Sequence, residues 1–316
     1  MQATEASAIP RPAEERRLGV ARPRYGERAI QGVLLLCALL SVATTAGIVF
    51  ALAEPTIEFF GEVSLADFYG GTEWSPLFAD ARFGVLPLIT ATLTTTFWAL
   101  VVCIPFGLGA AIYLSEYAHD RTRRILKPVL ELLAGIPTVV YGFFALTFVT
   151  PLLQDIWVFG DEPGVFNALS AGLVMGIMIL PTVASLSEDA MAAVPQGLRQ
   201  GAFALGATKL KVSTQVVVPA ALSGIVASFV LGISRAVGET MIVLIAAGGT
   251  PNLSFAPGEA MQTMTAFIAA AGLGDQPTGS IGYQTLFAVG STLFVLTLLM
   301  NVISIRLVRK YREVYE

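Results

Sequence analysis

The chain has 316 residues, of which 55% are hydrophobic and only 13% charged, with a mean hydropathy of +0.72 and a formal net charge of −4. That leaves too little polar surface for a soluble domain of this length, so a bilayer must supply the missing apolar solvent. Two cysteines and a single histidine exclude a disulfide framework or a His/Cys metal cluster.

Residues 1–28 form an Arg/Glu/Pro-rich tail. Crossing a hydrocarbon core takes about 20 apolar residues. Six runs are long enough: Ala29–Ala53, Gly84–Leu114, Pro128–Leu153, Val165–Ser185, Ala220–Ala247 and Tyr283–Leu307. The chain is therefore read as all-α and polytopic, with about six transmembrane helices over residues 29–307 and a short tail at 308–316. The first run is too long for the core of a cleavable signal and is expected to stay as an anchor. Aromatic residues of the loop after it (Phe59, Phe60, Phe68, Tyr69, Trp74) are expected to sit at the membrane interface, with packing or docking as the alternative. Pro105 and Pro137 are expected to bend the second and third spans. Gly172 and Gly176 in the fourth span form a small-residue pair suited to close helix packing. Between the last two spans, a short helix is expected around Ala260–Ala271.

Charge sets the orientation. Seventeen of the nineteen Lys and Arg residues fall in the two tails and the second-to-third and fourth-to-fifth connections, and eleven acids fall in the alternate loops. Positive-inside bias then predicts cytoplasmic termini. Arg82 is alone in the outer loops, and Arg235 lies inside the fifth run. His119 reads as a solvated loop residue, and Glu131 as a solvated or helix-terminal acid.

The fourth-to-fifth connection is too long to be structureless. Over 194–219 it is expected to hold a short helix across the cytoplasmic face. Gly201 and Gly206 have phosphate-loop spacing, but Ala207 and Thr208 stand where that loop needs Lys and Ser/Thr, so this chain is not expected to bind ATP itself. The segment resembles the ATPase-docking signature of ATP-binding-cassette (ABC) importer permeases: Gln200-Gly201-Ala202, Gly206 and Val216-Val217-Val218-Pro219 keep every spacing, with Gln200 in place of the usual acid. Gln200, Gly201, Ala202, Gly206, Ala207, Lys209 and Pro219 are the docking residues that this resemblance implies. Lys209 and Lys211 could meet acids on a partner or simply satisfy the charge bias.

Further blocks narrow the likeness. Gly84–Ile89, Gly107–Tyr117, Leu133–Phe144 and Ser234–Met241, with Gln262–Ile268, resemble the phosphate-specific importer permeases, and the last two resemble their C type (PstC). The resemblance implies the type I importer permease fold and a non-catalytic subunit without a cofactor. It also implies a related A-type permease, two ATPase subunits, an extracytoplasmic phosphate-binding protein, inorganic phosphate and membrane lipid as partners, with no nucleic acid.

A substrate pathway is read from the fifth span. Arg235 and Glu239 are four residues apart, which on an unbroken helix places them on one face, and Gly224, Ser228 and Gly238 fall near the same stripe. A charge in mid-membrane costs about 2.5–3.5 kcal/mol on the insertion scale and normally faces a bundle interior or a wet path. Arg235 would offer planar donors to phosphate. Glu239 would orient it or take a proton from the substrate; a mutually neutralising ion pair remains open. The rival functions are a secondary anion carrier and a membrane subunit that reports phosphate supply. An intramembrane enzyme is disfavoured, because the sequence offers no nucleophile and base together.

Overall fold

The computed structural model of the chain describes residues 25–78, 80–157, 162–274 and 276–310. The Arg-rich stretch 1–24, Asp161, Asp275 and Arg312 lie outside them. The chain divides into two units, 1–51 and 52–316. In the first, the described part is the leading portion of helix α1 (Tyr25–Glu62), whose apolar side chains, Leu34, Leu36 and Phe50 among them, are exposed.

The second unit is built around α3 (Leu86–Ile112) and α7 (Ala168–Ala192). A π turn, Tyr113–Tyr117, prolongs α3. Small residues let the two helices approach: a Cβ on Gly176 would lie 2.6 Å from the Ala99 carbonyl oxygen, and one on Gly172 2.6 Å from Trp98 Cβ. The Gly172/Gly176 pair is thus the packing seam expected of it. Val174, Met175, Met178, Ile179 and Val183 of α7 fill the main core with Ala99 and Cys103 of α3.

Among the described residues, five helices are long and apolar enough to cross a membrane, or six when the bent pair Lys209–Ala220 and Leu222–Val237 is counted as one span. Two expected spans take a different form. The third run is divided: α4 (Asp120–Ala134) is a separate amphipathic helix with no buried residue. Pro137 does not bend a helix but caps the start of α5 (Thr138–Phe144), which runs through a π turn into α6 (Thr150–Asp155). A proline has no N–H to donate and fits a helix start better than its interior. The fifth run is broken as well, because α11 (Leu222–Val237) stops at Gly238. Its sixteen residues span only about 24 Å, against roughly 30 Å of hydrocarbon, so α11 by itself does not complete a crossing.

The loop aromatics form a second core at the N-terminal end of α3. Phe59, Phe68 and Trp74 are buried, with Phe59 edge-on to Phe68 at 5.4 Å and Trp74 edge-on to Phe267 at 4.9 Å. The interfacial-anchor expectation fails for these three, because α2 (Leu65–Gly70) and the Trp74–Phe83 bridge fold the loop back onto α12 (Met264–Gly272) and α13 (Ile281–Lys310). Helix α12 is the one expected around Ala260–Ala271, with Thr263 as its N-cap accepting from the Ala266 N–H.

Candidate functional site

At the C-terminal ends of α3 and α7 the connection 194–219 folds into α8 (Gln196–Ala204), α9 (Lys209–Val212), a π turn and α10 (Val218–Ala220). Its glycine spacing has a backbone cause. Gly206 takes φ +79°. Its N–H bonds the Phe203 carbonyl at 2.9 Å and the Ala207 N–H bonds Ala202 at 3.1 Å, which is a Schellman stop to α8. Thr208 then caps α9, accepting from the Lys211 N–H, and Pro219 sits in the first turn of α10. Ala202 and Ala207 pack on a core of Ala111, Met191, Val194, Val212 and Ile225. The opposite side is bare: Gln200 and Gly201 are exposed, Leu205 is 90% exposed and Leu210 63%. Lys209 places its ammonium 5.1 Å from the centre of the Tyr117 ring.

Arg199, one of the basic residues of the fourth-to-fifth connection, is buried. Its Nη2 donates to Glu116 Oε1 at 2.9 Å and to the Met191 carbonyl at 2.8 Å, and its Nη1 donates to the Val194 carbonyl at 2.5 Å. A second closed cluster lies nearby. Glu188 is fully buried at the end of α7, ion-paired to Arg123 and, at 2.7 Å, to Lys127; Lys127 also reaches Asp189 at 2.6 Å. Burial opposes the charge on Lys127, but hydrogen bonds to Asp189 and Glu188 outweigh it and raise the ammonium pKa above its ordinary value. Sequence reasoning missed Glu116 and Glu188. The available signal was an acid near the end of each of two apolar runs, just where a cytoplasmic basic cluster comes next.

The Arg235–Glu239 region differs from its expectation. The helix ends between the two residues, so the four-residue spacing no longer sets one face, and no ion pair joins them among the described residues. Arg235, in the last turn of α11, has its charge at the negative end of the helix dipole. It donates to the neutral Thr182 hydroxyl of α7 at 3.1 Å and is within electrostatic range of Tyr141. Glu239 caps the turn beyond the break: Oε1 accepts the N–H groups of Met241 at 3.0 Å and Ile242 at 3.3 Å, while its own carbonyl accepts from Thr265 Oγ1 at 2.6 Å. Gly142 packs directly on Ile245 and the Met241 carbonyl. Three of the blocks singled out in the sequence, around Tyr141, Arg235 and Thr265, therefore converge on one helix break.

Ser228 does not join them. It is fully buried, 2.7 Å from Ser187 Oγ and 2.7 Å from the Ile225 carbonyl. The stripe Gly224, Ser228, Gly232 is the surface that α11 presses on α7, since a Cβ on Gly224 would collide with Ala190 Cβ and one on Gly232 would lie 3.1 Å from Val183. Small side chains there serve close packing, and only the end of the stripe, at Arg235, leaves polar donors over.

Residues 103–313 match the family described as binding-protein-dependent transport system inner membrane component. The chain belongs to that family: it is a multi-pass membrane permease of the ABC importer class. It is 35% identical over 285 residues to a probable ABC transporter permease protein, YqgH, of Bacillus subtilis, covering 89% of this chain and 90% of that protein. It is 34% identical over 325 residues to the phosphate transport system permease protein PstC 1 of Mycobacterium tuberculosis (91% and 96% covered). Against the PstC of Haemophilus influenzae the identity is 32% over 300 residues (88% and 91%). In fold it is similar to a bacterial alginate ABC transporter chain, with TM-score 0.58 at 18% identity over 90% of this chain and 96% of that one. It also resembles a chain of the MetNI methionine ABC transporter, at TM-score 0.52 and 20% identity over 73% and 95%.

Proposed function

We propose that this chain is the C-type permease subunit of an ATP-driven inorganic phosphate importer, with both termini in the cytoplasm. It would pair with a related A-type permease and take two ATPase subunits on its cytoplasmic side and a phosphate-binding protein on the other. The nearly full-length similarity to relatives named as phosphate transport permeases carries this reading. The helix break at Arg235 supports it chemically. A guanidinium closed by a carboxylate would have little to offer an anion, whereas Arg235 is held by one neutral hydroxyl and keeps planar donors for a tetrahedral oxyanion.

Glu239 takes a role other than a salt-bridge partner. With Oε1 committed to two backbone N–H groups, it holds the shape of the break, and its second oxygen makes no hydrogen bond among the described residues. That oxygen can accept a proton that phosphate carries and sulfate lacks at neutral pH. ATP would be hydrolysed by partner subunits, and this chain would need no cofactor of its own.

Gln200, Gly201, Gly206, Lys209 and the exposed Leu205 and Leu210 form the surface offered to the ATPase, with Ala202 and Ala207 shaping it from beneath and Pro219 in the first turn of α10. A Cβ added at Gly201 would meet nothing within 4 Å inside this subunit, which fits a demand imposed from outside it. The test is co-purification followed by phosphate uptake in proteoliposomes with ATP inside and binding protein outside. Uptake that needs no ATPase subunit, or that is indifferent to phosphate as the solute, defeats the reading.

A further inference from the structure

The helix α3 is remote in sequence from the docking segment, 83 residues separating Glu116 from Arg199. Covalently, α8 continues from α7 and leads through α9 and α10 to α11, so any movement of the segment reaches those two helices through the chain itself. It reaches α3 only through side chains and packing. The prolonging π turn of α3 supplies those side chains from two adjacent residues. Glu116 binds Arg199 of α8, with both side chains nearly buried at 7% and 10% exposure, and Tyr117 lies under the ammonium of Lys209 of α9. The two contacts fall on either side of the Gly206 turn, so both arms of the segment are gripped by one helical turn. Arg199 simultaneously bonds the carbonyls of Met191 and Val194, and one planar group thereby ties the ends of α3, α7 and α8 together.

We propose that Glu116 and Tyr117 are positioning residues that make α3 move as one body with the docking segment, so that force from the ATPase enters the bundle through α3 as well as through the chain. This rests on the reading that 194–219 receives an ATPase. The test uses the complete transporter in proteoliposomes and reads phosphate imported per ATP hydrolysed. Glu116→Gln is expected to lower that ratio about tenfold, within the usual range of coupling between sites, with the subunits still co-purifying and ATP still hydrolysed. Tyr117→Leu, which removes the ring under Lys209 and leaves every docking residue in place, is expected to lower it about two- to fivefold, the equivalent of an exposed cation–π contact. A parallel fall of uptake and hydrolysis, or an unchanged ratio in both variants, overturns the proposal. Spin labels at the exposed positions Phe106 on α3 and Gln196 on α8, with Cys37 and Cys103 replaced, give a readout independent of the solute. A separation that stays constant through the ATP cycle in the parent and varies in Glu116→Gln is expected, and one that varies in the parent overturns the proposal. Absence of ATP-driven phosphate uptake in the parent, with constant label separation, would instead defeat the phosphate reading alone.

Discussion

The two polar regions of this permease handle buried charge in opposite ways. At the docking end each buried carboxylate is closed by cations, Glu188 by Arg123 and Lys127 and Glu116 by Arg199. At the break after α11 the arginine and the glutamate four residues apart ignore each other, one held by a threonine hydroxyl and the other by backbone N–H groups. A closed pair has spent its hydrogen-bonding capacity on the fold, and removing one partner strands a charge. An open arrangement keeps donors in reserve, and removing one residue should cost the ligand more than the fold. Fold stability and solute binding ought therefore to separate between the Glu188 cluster and the break at Arg235.

The largest effect is expected where a charge is stranded. Arg123→Met with Lys127→Met leaves the fully buried Glu188 without a counter-charge, and breaking a buried pair from one side costs about 3–5 kcal/mol. The purified protein should lose its cooperative thermal transition or show it at markedly lower temperature. The reverse change, Glu188→Gln, should cost much less, because Arg123 and Lys127 are partly exposed and can be hydrated. Equal losses in the two cases would mean that closure of the pair is not what holds α4 to α7.

Arg235→Gln should behave in the opposite sense. A hydrogen bond to a charged group is worth about 1.5–3 kcal/mol, so phosphate uptake should fall roughly 10- to 100-fold at 1.4 kcal/mol per decade, while the thermal transition stays near that of the parent. A variant that unfolds as readily as the Arg123/Lys127 double change would place Arg235 among the structural charges. Gly206→Ala is expected to cost less again. A left-handed residue other than glycine loses about 1–2 kcal/mol, and the change should appear as a weakened ATPase complex rather than a lost fold, since Gly206 is exposed and its added Cβ would meet nothing.

Legibility in the sequence divides along the same line. Apolar runs, the Gly172/Gly176 seam and the Gly206 stop are local or periodic signals, and each has a backbone cause that sequence spacing expresses directly. The closed ion pairs are not local: nothing in the string of letters links Glu116 to Arg199 or Lys127 to Glu188 across their long separations, and Arg199 looks like any other cytoplasmic basic residue. The break at Gly238 was legible in part, because glycine before a Glu that can cap is a helix-stop signal, but the apolar run on both sides concealed it. Ser228 misled for a related reason. A small polar residue on a stripe of glycines is equally compatible with a pathway and a packing seam, and burial against Ser187 decides for packing.

The smallest effect is a titration at the closed end. The ammonium of Lys127 is held above its ordinary pKa by Asp189 and Glu188 against the opposing influence of burial. A cation whose folded pKa is raised contributes stability that is complete below the unfolded value, near 10.4 for lysine, and that disappears as pH climbs through the folded value. Thermal stability should accordingly show no Lys127-dependent slope from pH 7 to about 9.5 and then decline on the alkaline side. Lys127→Met should flatten that decline while lowering stability at neutral pH. Because Lys127 keeps partial contact with solvent and Arg123 still faces Glu188, the change should be modest beside that of the double substitution. A Lys127-dependent slope at neutral pH would show that the lysine titrates far below its ordinary range. Burial would then outweigh the two carboxylates, and the closed character of this cluster would be lost.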